Sequence, residues 1–260
     1  MPRFAANLST MFTEYPFEER FAHAARAGFP AVEFLFPYEY EPEKLTALLK
    51  ENNLVQVLFN MPPGDWAKGE RGMAALPGRE AEFAANVDIA VRYAKALNCP
   101  RVHAMAGIIL AGLDKAEAER TYKGNIKLAA AKLAEHGLEL CLEAINQRSM
   151  PGYFLNTIGR TAAYIKEIGA PNVKVQFDYF HVQMQEGCVS LKFKEFFDLI
   201  GHCQLAGAPE RHEPDTGELN YSYLFAQADA LGYKGHIGCE YNPAKGTAEG
   251  LGWLAKAMKA

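Results

Sequence analysis

The sequence lacks most of the features that mark a secreted, membrane-bound or nucleic-acid-binding protein. Only five of its 260 residues are cysteines and no two form a Cys-x-x-Cys pair, which is typical of a protein from a reducing compartment. Positive charge is not in excess, because 27 Lys and Arg residues stand against 31 Asp and Glu residues, a net charge of −4. No apolar run is long enough to cross a bilayer, and the N-terminus has no apolar signal core. We therefore expect a soluble cytoplasmic protein that binds neither membranes nor nucleic acids.

The sequence does contain a regular alternation of short apolar runs and longer amphipathic segments. Eight runs have the length of a strand and are almost continuously apolar, as parallel strands covered by helices are. They are Phe4–Ser9, Ala31–Phe36, Leu54–Asn60, Arg101–Gly107, Leu138–Ala144, Val173–Asp178, Ile200–Ala206 and His236–Tyr241. Segments with helical spacing separate them, and the first run is not followed by the glycine-rich loop of a doubly wound open sheet. The pattern predicts a single (β/α)₈ barrel over residues 1–260.

Two predicted connections are unusually long, at about 61–77 and 207–220. Both follow strand C-termini, which is the face where barrel enzymes build their sites. Candidate substrate contacts in these loops are Trp66, Glu70, Arg71 and Arg211. In the first loop, the aromatic ring and the two charges suggest a lid over the site, and in the second the cation suits an anionic substrate group. A solvated surface loop is the alternative interpretation of each.

Four oxygen-bearing side chains lie at the C-terminal ends of four successive predicted strands. They are Glu143, Asp178, Gln204 and Glu240. One carboxylate after a strand is usually a helix cap or part of a surface ion pair, but four such residues converge on one mouth of the barrel. Three carboxylates and an amide oxygen would repel one another there unless a cation lay among them. Such hard oxygen ligands favour Mg²⁺ or Mn²⁺ over a zinc site built from thiolates.

Two histidines are further candidates near the same mouth. His181 lies three residues beyond Asp178, where it is expected to contact either the ligands or the substrate. His103 lies inside the strand Arg101–Gly107 and is expected to be a polar residue of the barrel interior, with substrate contact as the alternative.

Eight longer motifs spread over nearly the whole chain also carry information. They are Arg3–Ser9, Val32–Tyr38, Pro63–Trp66, Gly69–Gly72, Leu76–Glu80, Arg211–Pro214, Gly217–Glu218 and Gly238–Tyr241. Together they resemble the hydroxypyruvate isomerase family and its sister group, the 2-oxo-tetronate isomerases, within the xylose-isomerase-like barrels. Thr13-Glu14 and Val102–Gly107 are closer to the 2-oxo-tetronate group, whereas Glu143–Asn146 and Pro151–Tyr153 are closer to the hydroxypyruvate group.

The resemblance implies a xylose-isomerase-like TIM barrel and an isomerase that interconverts aldoses and ketoses. It implies Glu143 and Glu240 as the catalytic acid/base pair, and Glu143, Asp178, Gln204 and Glu240 as the ligands of a divalent metal. Mg²⁺ is the metal we expect, with Mn²⁺ or Co²⁺ as alternatives. A small anionic hydroxy-oxo acid is the expected partner, and the sequence is compatible with a homo-oligomer.

The reaction that we expect first is hydroxypyruvate to 2-hydroxy-3-oxopropanoate, through an enediolate. Isomerisation of 2-oxo-tetronate is the alternative, and a sugar 3-epimerase is a weaker one. A dehydratase and an endonuclease-IV-like phosphodiesterase use the same barrel, but seven histidines and a charge of −4 do not favour the nuclease. A barrel that only binds a metabolite would not need two carboxylates across one metal.

Overall fold

Parallel strand pairing organises this chain, whose computed structural model describes residues 2–109 and 112–258. Nine strands form one sheet in the order β3-β2-β1-β9-β8-β7-β6-β5-β4, and each pair of neighbours is parallel. The strands are β1 Arg3–Asn7, β2 Ala31–Glu33, β3 Val55–Gln56, β4 Phe59–Asn60, β5 Arg101–His103, β6 Glu139–Glu143, β7 Val173–Asp178, β8 Ile200–Leu205 and β9 His236–Cys239. The predicted barrel architecture is thereby confirmed.

The barrel closes through one run of the chain, which differs from its prediction. The expected strand Leu54–Asn60 is divided into β3 and β4, the first and last strands of the sheet, with only residues 57 and 58 between them. Hydrogen bonds to the β2 side continue along the run, from Val57 N to Val32 O at 3.0 Å and from Phe34 N to Leu58 O at 3.4 Å. The run is divided because its two ends pair with different neighbours, Val55–Gln56 with β2 and Phe59–Asn60 with β5.

Helices follow the strands and cover the outside of the sheet, as the apolar strand runs predict. They are α1 Phe17–Arg26, α2 Pro42–Glu51, α3 Glu80–Ala96, α4 Lys115–Ala134, α5 Ile158–Ile168, α6 Tyr179–Gln185, α7 Val189–Glu195, α8 Tyr221–Ala230, α9 Thr247–Gly250 and α10 Gly252–Ala257. Short 3₁₀ turns lie at Trp66–Lys68 and Phe197–Leu199. In the part of the chain that the structure describes, no helix combines the length and apolar character needed to cross a membrane.

Strand register brings the C-terminal ends of the later strands into line. Asp178 of β7 pairs with Gln204 of β8, and Gln204 pairs in turn with Gly238 of β9. On the other side, Glu143 of β6 pairs with Gln176 of β7. Glu143 is therefore in register with Gln176, two residues before Asp178, and all of these positions lie near the C-terminal ends of their strands.

Candidate active site

A cavity of about 290 Å³ opens among these strand ends. Its walls include Glu143, Gln176, His181, Arg211 and Glu240 from the later strands and their loops, together with Trp66 and Arg71 from the first long loop. A larger groove of about 720 Å³ lies outside the barrel along α8 and α10, but none of the predicted site residues lines it. The smaller cavity is therefore the candidate active site, as expected for the C-terminal face of a barrel.

Asp178 ends β7 and also begins α6. Its Oδ1 accepts a hydrogen bond from Phe180 N at 2.8 Å, which caps the helix. Its Oδ2 is buried without a hydrogen-bond partner, 3.7 Å from His181 Nε2 and 3.9 Å from Arg211 Nη2. Burial raises the pKa of Asp178 to about 6, although Arg211 opposes the shift. One oxygen thus serves the fold while the other is available to the site.

Glu143 ends β6, and its carboxyl group has fewer hydrogen-bond partners than those of Asp178 and Glu240. Its Oε1 is buried with no hydrogen-bond partner, and its Oε2 lies 3.9 Å from His103 Nδ1. Burial first, and then repulsion by Glu240 and Asp178, raises the pKa of Glu143 well above its ordinary value. A carboxyl group in this setting either holds a proton or neighbours a cation.

Glu240 directly follows β9 and is held on both of its oxygens. Oε1 accepts from Arg211 Nη2 at 2.5 Å, while Oε2 accepts from Gln204 Nε2 at 2.6 Å and from Asn7 Nδ2 at 3.4 Å. Burial raises the pKa of Glu240 to about 7, and the guanidinium of Arg211 opposes this rise.

Gln204 lies between two acids. Its amide nitrogen donates to Glu33 Oε1 at 2.7 Å as well as to Glu240, and its oxygen accepts from Gln176 Nε2 at 2.6 Å. The four predicted ligands are thus neighbours, but the oxygen of Gln204 is engaged with another amide.

The donor set of this site fits a divalent cation. Ligand atoms of Glu143, Asp178 and His181 lie within 4.8 Å of one another, and each of the two acids has one buried oxygen without a hydrogen-bond partner. A cation among these buried acids would be a partner for the carboxylate oxygens that have none within the protein. Glu143 and Asp178 are the acids of the group that could hold it.

His181 is better suited to donate a hydrogen bond than to ligate a metal. Its Nδ1 lies 2.6 Å from Asn146 Nδ2, and the orientation of that amide is fixed because Asn146 Oδ1 accepts from Ser149 N at 2.8 Å. Burial lowers the pKa of His181 well below its ordinary value, so the ring is neutral. A neutral ring that accepts at Nδ1 carries its proton on Nε2, which faces Asp178. Contact of His181 with the ligands or the substrate stays a prediction.

His103 lies beside Glu143, below the cavity wall. Its Nδ1 pairs with Asn60 Oδ1 at 3.2 Å and its buried Nε2 has no partner. Burial, with a smaller effect of His202, lowers the pKa of His103 to about 3. It is a neutral interior residue next to the site and does not line the cavity.

The first long loop brings two of its three candidate residues to the cavity. The guanidinium carbon of Arg71 lies 3.7 Å from the centre of the Trp66 ring. That ring packs against the ring of Phe36, with 5.0 Å between the two ring centres. Glu70 instead forms an ion pair with Arg79 at 2.9 Å and accepts from Asp65 N at 2.7 Å. The structure therefore does not bring Glu70 to the substrate cavity, because its charge stabilises the loop from behind.

The two candidate cations differ in what they already bind. Arg211 reaches Glu240 and lies near Asp178, so its charge is matched within the protein. Arg71 donates from Nη1 to the carbonyls of Trp66 and Glu70, and it forms no ion pair with a carboxylate among the described residues. Among the described residues that line the cavity, Arg71 is thus a cation whose charge no carboxylate matches.

Two buried groups behind the site were not predicted from the sequence. Glu33 at the end of β2 accepts from Gln204 and from His202 Nε2, the latter at 2.6 Å. Both residues stand inside apolar strand runs, and that is the signal that could have singled them out.

Comparison with known proteins places these observations in a family. Residues 21–257 match the xylose isomerase-like TIM barrel family. The chain is 56% identical to a 2-oxo-tetronate isomerase of Cupriavidus necator and 42% identical to the hydroxypyruvate isomerase of Escherichia coli, with 98% of each chain covered in both cases. A crystal structure described as an AP endonuclease, family 2, from Brucella melitensis is 53% identical with a TM-score of 0.97, over 98% of this chain and 99% of that one.

Proposed function

Because the chain belongs to the xylose isomerase-like TIM barrel family and is an isomerase of small hydroxy-oxo acids, we propose that its substrate is 2-oxo-tetronate. The relative with 56% identity carries that name, whereas the hydroxypyruvate isomerase of Escherichia coli is 42% identical. This reverses the order expected from the motifs, where hydroxypyruvate came first. Hydroxypyruvate remains the second candidate, supported by that relative.

The proposed reaction moves a carbonyl group by one carbon. A base removes the proton from C3, which carries a hydroxyl group and lies next to the C2 carbonyl. The electron pair of that C–H bond then forms the C2–C3 double bond of an enediolate. An acid then returns a proton to C2, the proton of the C3 hydroxyl is transferred to the oxygen on C2, and the product is 3-oxo-tetronate. The step therefore needs a base and an acid beside one small substrate.

The observation that carries the proposal is the pair of buried carboxyl groups, Glu143 and Glu240, in the wall of one small cavity. Glu143 Oε1 has no partner and is free to take a proton, and Arg211 orients the carboxylate of Glu240. His181 Nε2–H is placed to donate to a substrate oxygen. We assign the two glutamates as base and acid in turn.

A divalent cation would be held by Glu143, Asp178, Gln204 and Glu240 in this proposal. When bound, it would act as a Lewis acid that polarises the carbonyl and acidifies the adjacent C–H bond. The protein itself orients the carboxylates, as Arg211 does for Glu240, and Trp66 contributes an aromatic wall to the cavity.

Arg71 is proposed to bind the carboxylate of the substrate. Replacing it in Arg71→Ala is expected to raise KM by about 10-fold to 100-fold, since a hydrogen bond to a charged group contributes roughly 1.5–3 kcal/mol. Steady-state kinetics checks this, with Arg92→Ala as the control because Arg92 is exposed and pairs with Glu41. An unchanged KM in Arg71→Ala would remove the assignment.

The substrate itself is tested by turnover of 2-oxo-tetronate and hydroxypyruvate, each with and without EDTA and with Mn²⁺ or Mg²⁺ added back. We expect kcat/KM to be higher for 2-oxo-tetronate by about tenfold or more, because the site would be shaped for the additional hydroxymethyl group. A ratio in favour of hydroxypyruvate would exchange the two candidates. Loss of both activities in a folded protein that binds metal would exclude both acids.

A further inference from the structure

The barrel interior contains a buried pair that the isomerisation described above does not use. Glu33 and His202 are 1% and 0% exposed, and Glu33 Oε2 lies 2.6 Å from His202 Nε2. A carboxylate is costly to bury unless every oxygen is matched by donors. The other oxygen of Glu33 meets this condition through the amide nitrogens of Gln204 at 2.7 Å and Asn7 at 3.0 Å.

Those two amides connect Glu33 to the site. Gln204 Nε2 and Asn7 Nδ2, which both donate to Glu33, also donate to Oε2 of Glu240, at 2.6 and 3.4 Å. The orientation of Asn7 is fixed, because its Oδ1 accepts from Ser9 N at 3.0 Å. Two bridging amides thus hold a catalytic carboxylate at a set position relative to a buried one.

Oε1 of Glu33 accepts from two amide nitrogens, those of Gln204 and Asn7, so Glu33 meets the nitrogen side of the Gln204 amide. The oxygen side of that amide is then turned towards Gln176, whose Nε2 donates to it at 2.6 Å. Glu33 thereby fixes the orientation of the Gln204 amide, with its nitrogen towards the two glutamates and its oxygen towards Gln176.

The backbone of β9 makes room for this carboxylate. A Cβ atom at Gly238 would lie 2.3 Å from both oxygens of Glu33, so a larger residue there would displace them. Gly238 is two residues before Glu240, and the strand that carries one carboxylate is thus shaped around the other.

We propose that Glu33, anchored by His202, is a positioning residue that fixes the amide of Gln204 and, through Gln204 and Asn7, the carboxylate of Glu240. The proposal rests on the proposed function for its kinetic consequences, and on geometry alone for its structural ones. Glu33 is not expected to touch the substrate, since it does not line the cavity.

The test begins with Glu33→Gln, which keeps the shape but replaces one of the two acceptor oxygens by an NH₂ group, so that either the two amide donors or His202 Nε2 face an NH₂ group in place of an oxygen. We expect kcat to fall by about 10-fold to 100-fold, as for other groups that orient ligands, with KM changed by less than about twofold. The affinity for Mn²⁺, measured by titration calorimetry, is expected to fall by about the same 10-fold to 100-fold. A crystal structure of the variant is expected to show the Glu240 carboxylate and the Gln204 amide rotated.

A second variant covers the case in which Glu33→Gln does not fold. Gly238→Ala keeps every polar group and displaces Glu33 by its Cβ, so it is expected to give the same kinetic pattern. Gly252→Ala is the control, because a Cβ there meets nothing within 4 Å.

Unmoved Glu240 and Gln204 side chains in the structure, or a kcat within about threefold of the wild type in folded Glu33→Gln, would overturn the proposal. If the wild type isomerises neither acid, the proposed function fails. The crystal structure then decides the positioning role by itself.

Discussion

Replacing either Glu143 or Glu240 by glutamine is expected to lower kcat by about 10²-fold to 10⁴-fold, which is the usual contribution of one general acid or base. Glutamine has almost the same shape as glutamate but cannot accept the substrate proton. Since each carboxylate is base in one direction of the reaction and acid in the other, both directions should be lost together. KM should change less than kcat, because the carboxylate of the substrate is bound by Arg71 in this proposal.

The two substitutions should differ in their effect on folding. Glu143→Gln replaces a carboxyl group whose Oε1 is unpartnered and buried, so the metal-free variant should be at least as stable as the wild type. Glu240→Gln removes the charge that pairs with Arg211 and leaves one acceptor oxygen where Arg211 and Gln204 use two, so it should lower the melting temperature. Thermal unfolding followed by circular dichroism measures both changes.

Glu139→Gln is the matched control for the activity measurement. Glu139 begins the strand that Glu143 ends, so it lies at the opposite mouth of the barrel, paired with Arg101 at 3.2 Å. The kcat of the Glu139→Gln variant should equal that of the wild type. Turnover near the wild-type rate in both Glu143→Gln and Glu240→Gln would refute their assignment as acid and base.

The strands, and the acids at their ends, could be predicted from the sequence because both depend on short apolar runs and the residues that end them. Parallel strands covered by helices are apolar throughout, and a polar residue at the end of such a run must lie at the strand C-terminus. Asp178 and Glu240 illustrate this, since one ends its strand and the other directly follows it. The division of Leu54–Asn60 was not predictable, because it depends on which strand each end of the run pairs with, β2 for Val55–Gln56 and β5 for Phe59–Asn60.

The individual partners of charged residues could not be read from the sequence. Glu70 and Arg71 are adjacent, yet Arg71 lines the cavity while Glu70 pairs with Arg79 behind the loop. Arg211 donates a hydrogen bond to Glu240, which is 29 residues away along the chain. Glu33 and His202 come together from strands 169 residues apart, and only the closed barrel places them in contact.

The second large effect concerns the metal, and it separates a ligand role of Asp178 from its role as a helix cap. Adding Mn²⁺ at about 100 times its Kd to the metal-free protein is expected to stabilise the fold by roughly 2.7 kcal/mol, or about 5 to 10 °C in Tm. In Asp178→Asn this gain should largely disappear, because the amide replaces one of the three buried carboxylates that would face the cation.

The metal-free Asp178→Asn protein provides the sharper comparison. Asparagine caps helices as well as aspartate does, so the hydrogen bond to Phe180 N should remain. One of the like charges around Glu143 is removed at the same time, and the Tm of the metal-free variant should therefore equal or exceed that of the metal-free wild type. Asp88→Asn is the control, since Asp88 is exposed on α3 and pairs with Lys132 at 2.6 Å. If Mn²⁺ raises the Tm of Asp178→Asn as much as that of the wild type, Asp178 is a cap and not a ligand.

A second outcome would contradict the metal site itself. If the metal-free variant melts well below the wild type, the three acids do not repel one another enough to need a cation, and the argument that a metal ion neutralises them fails.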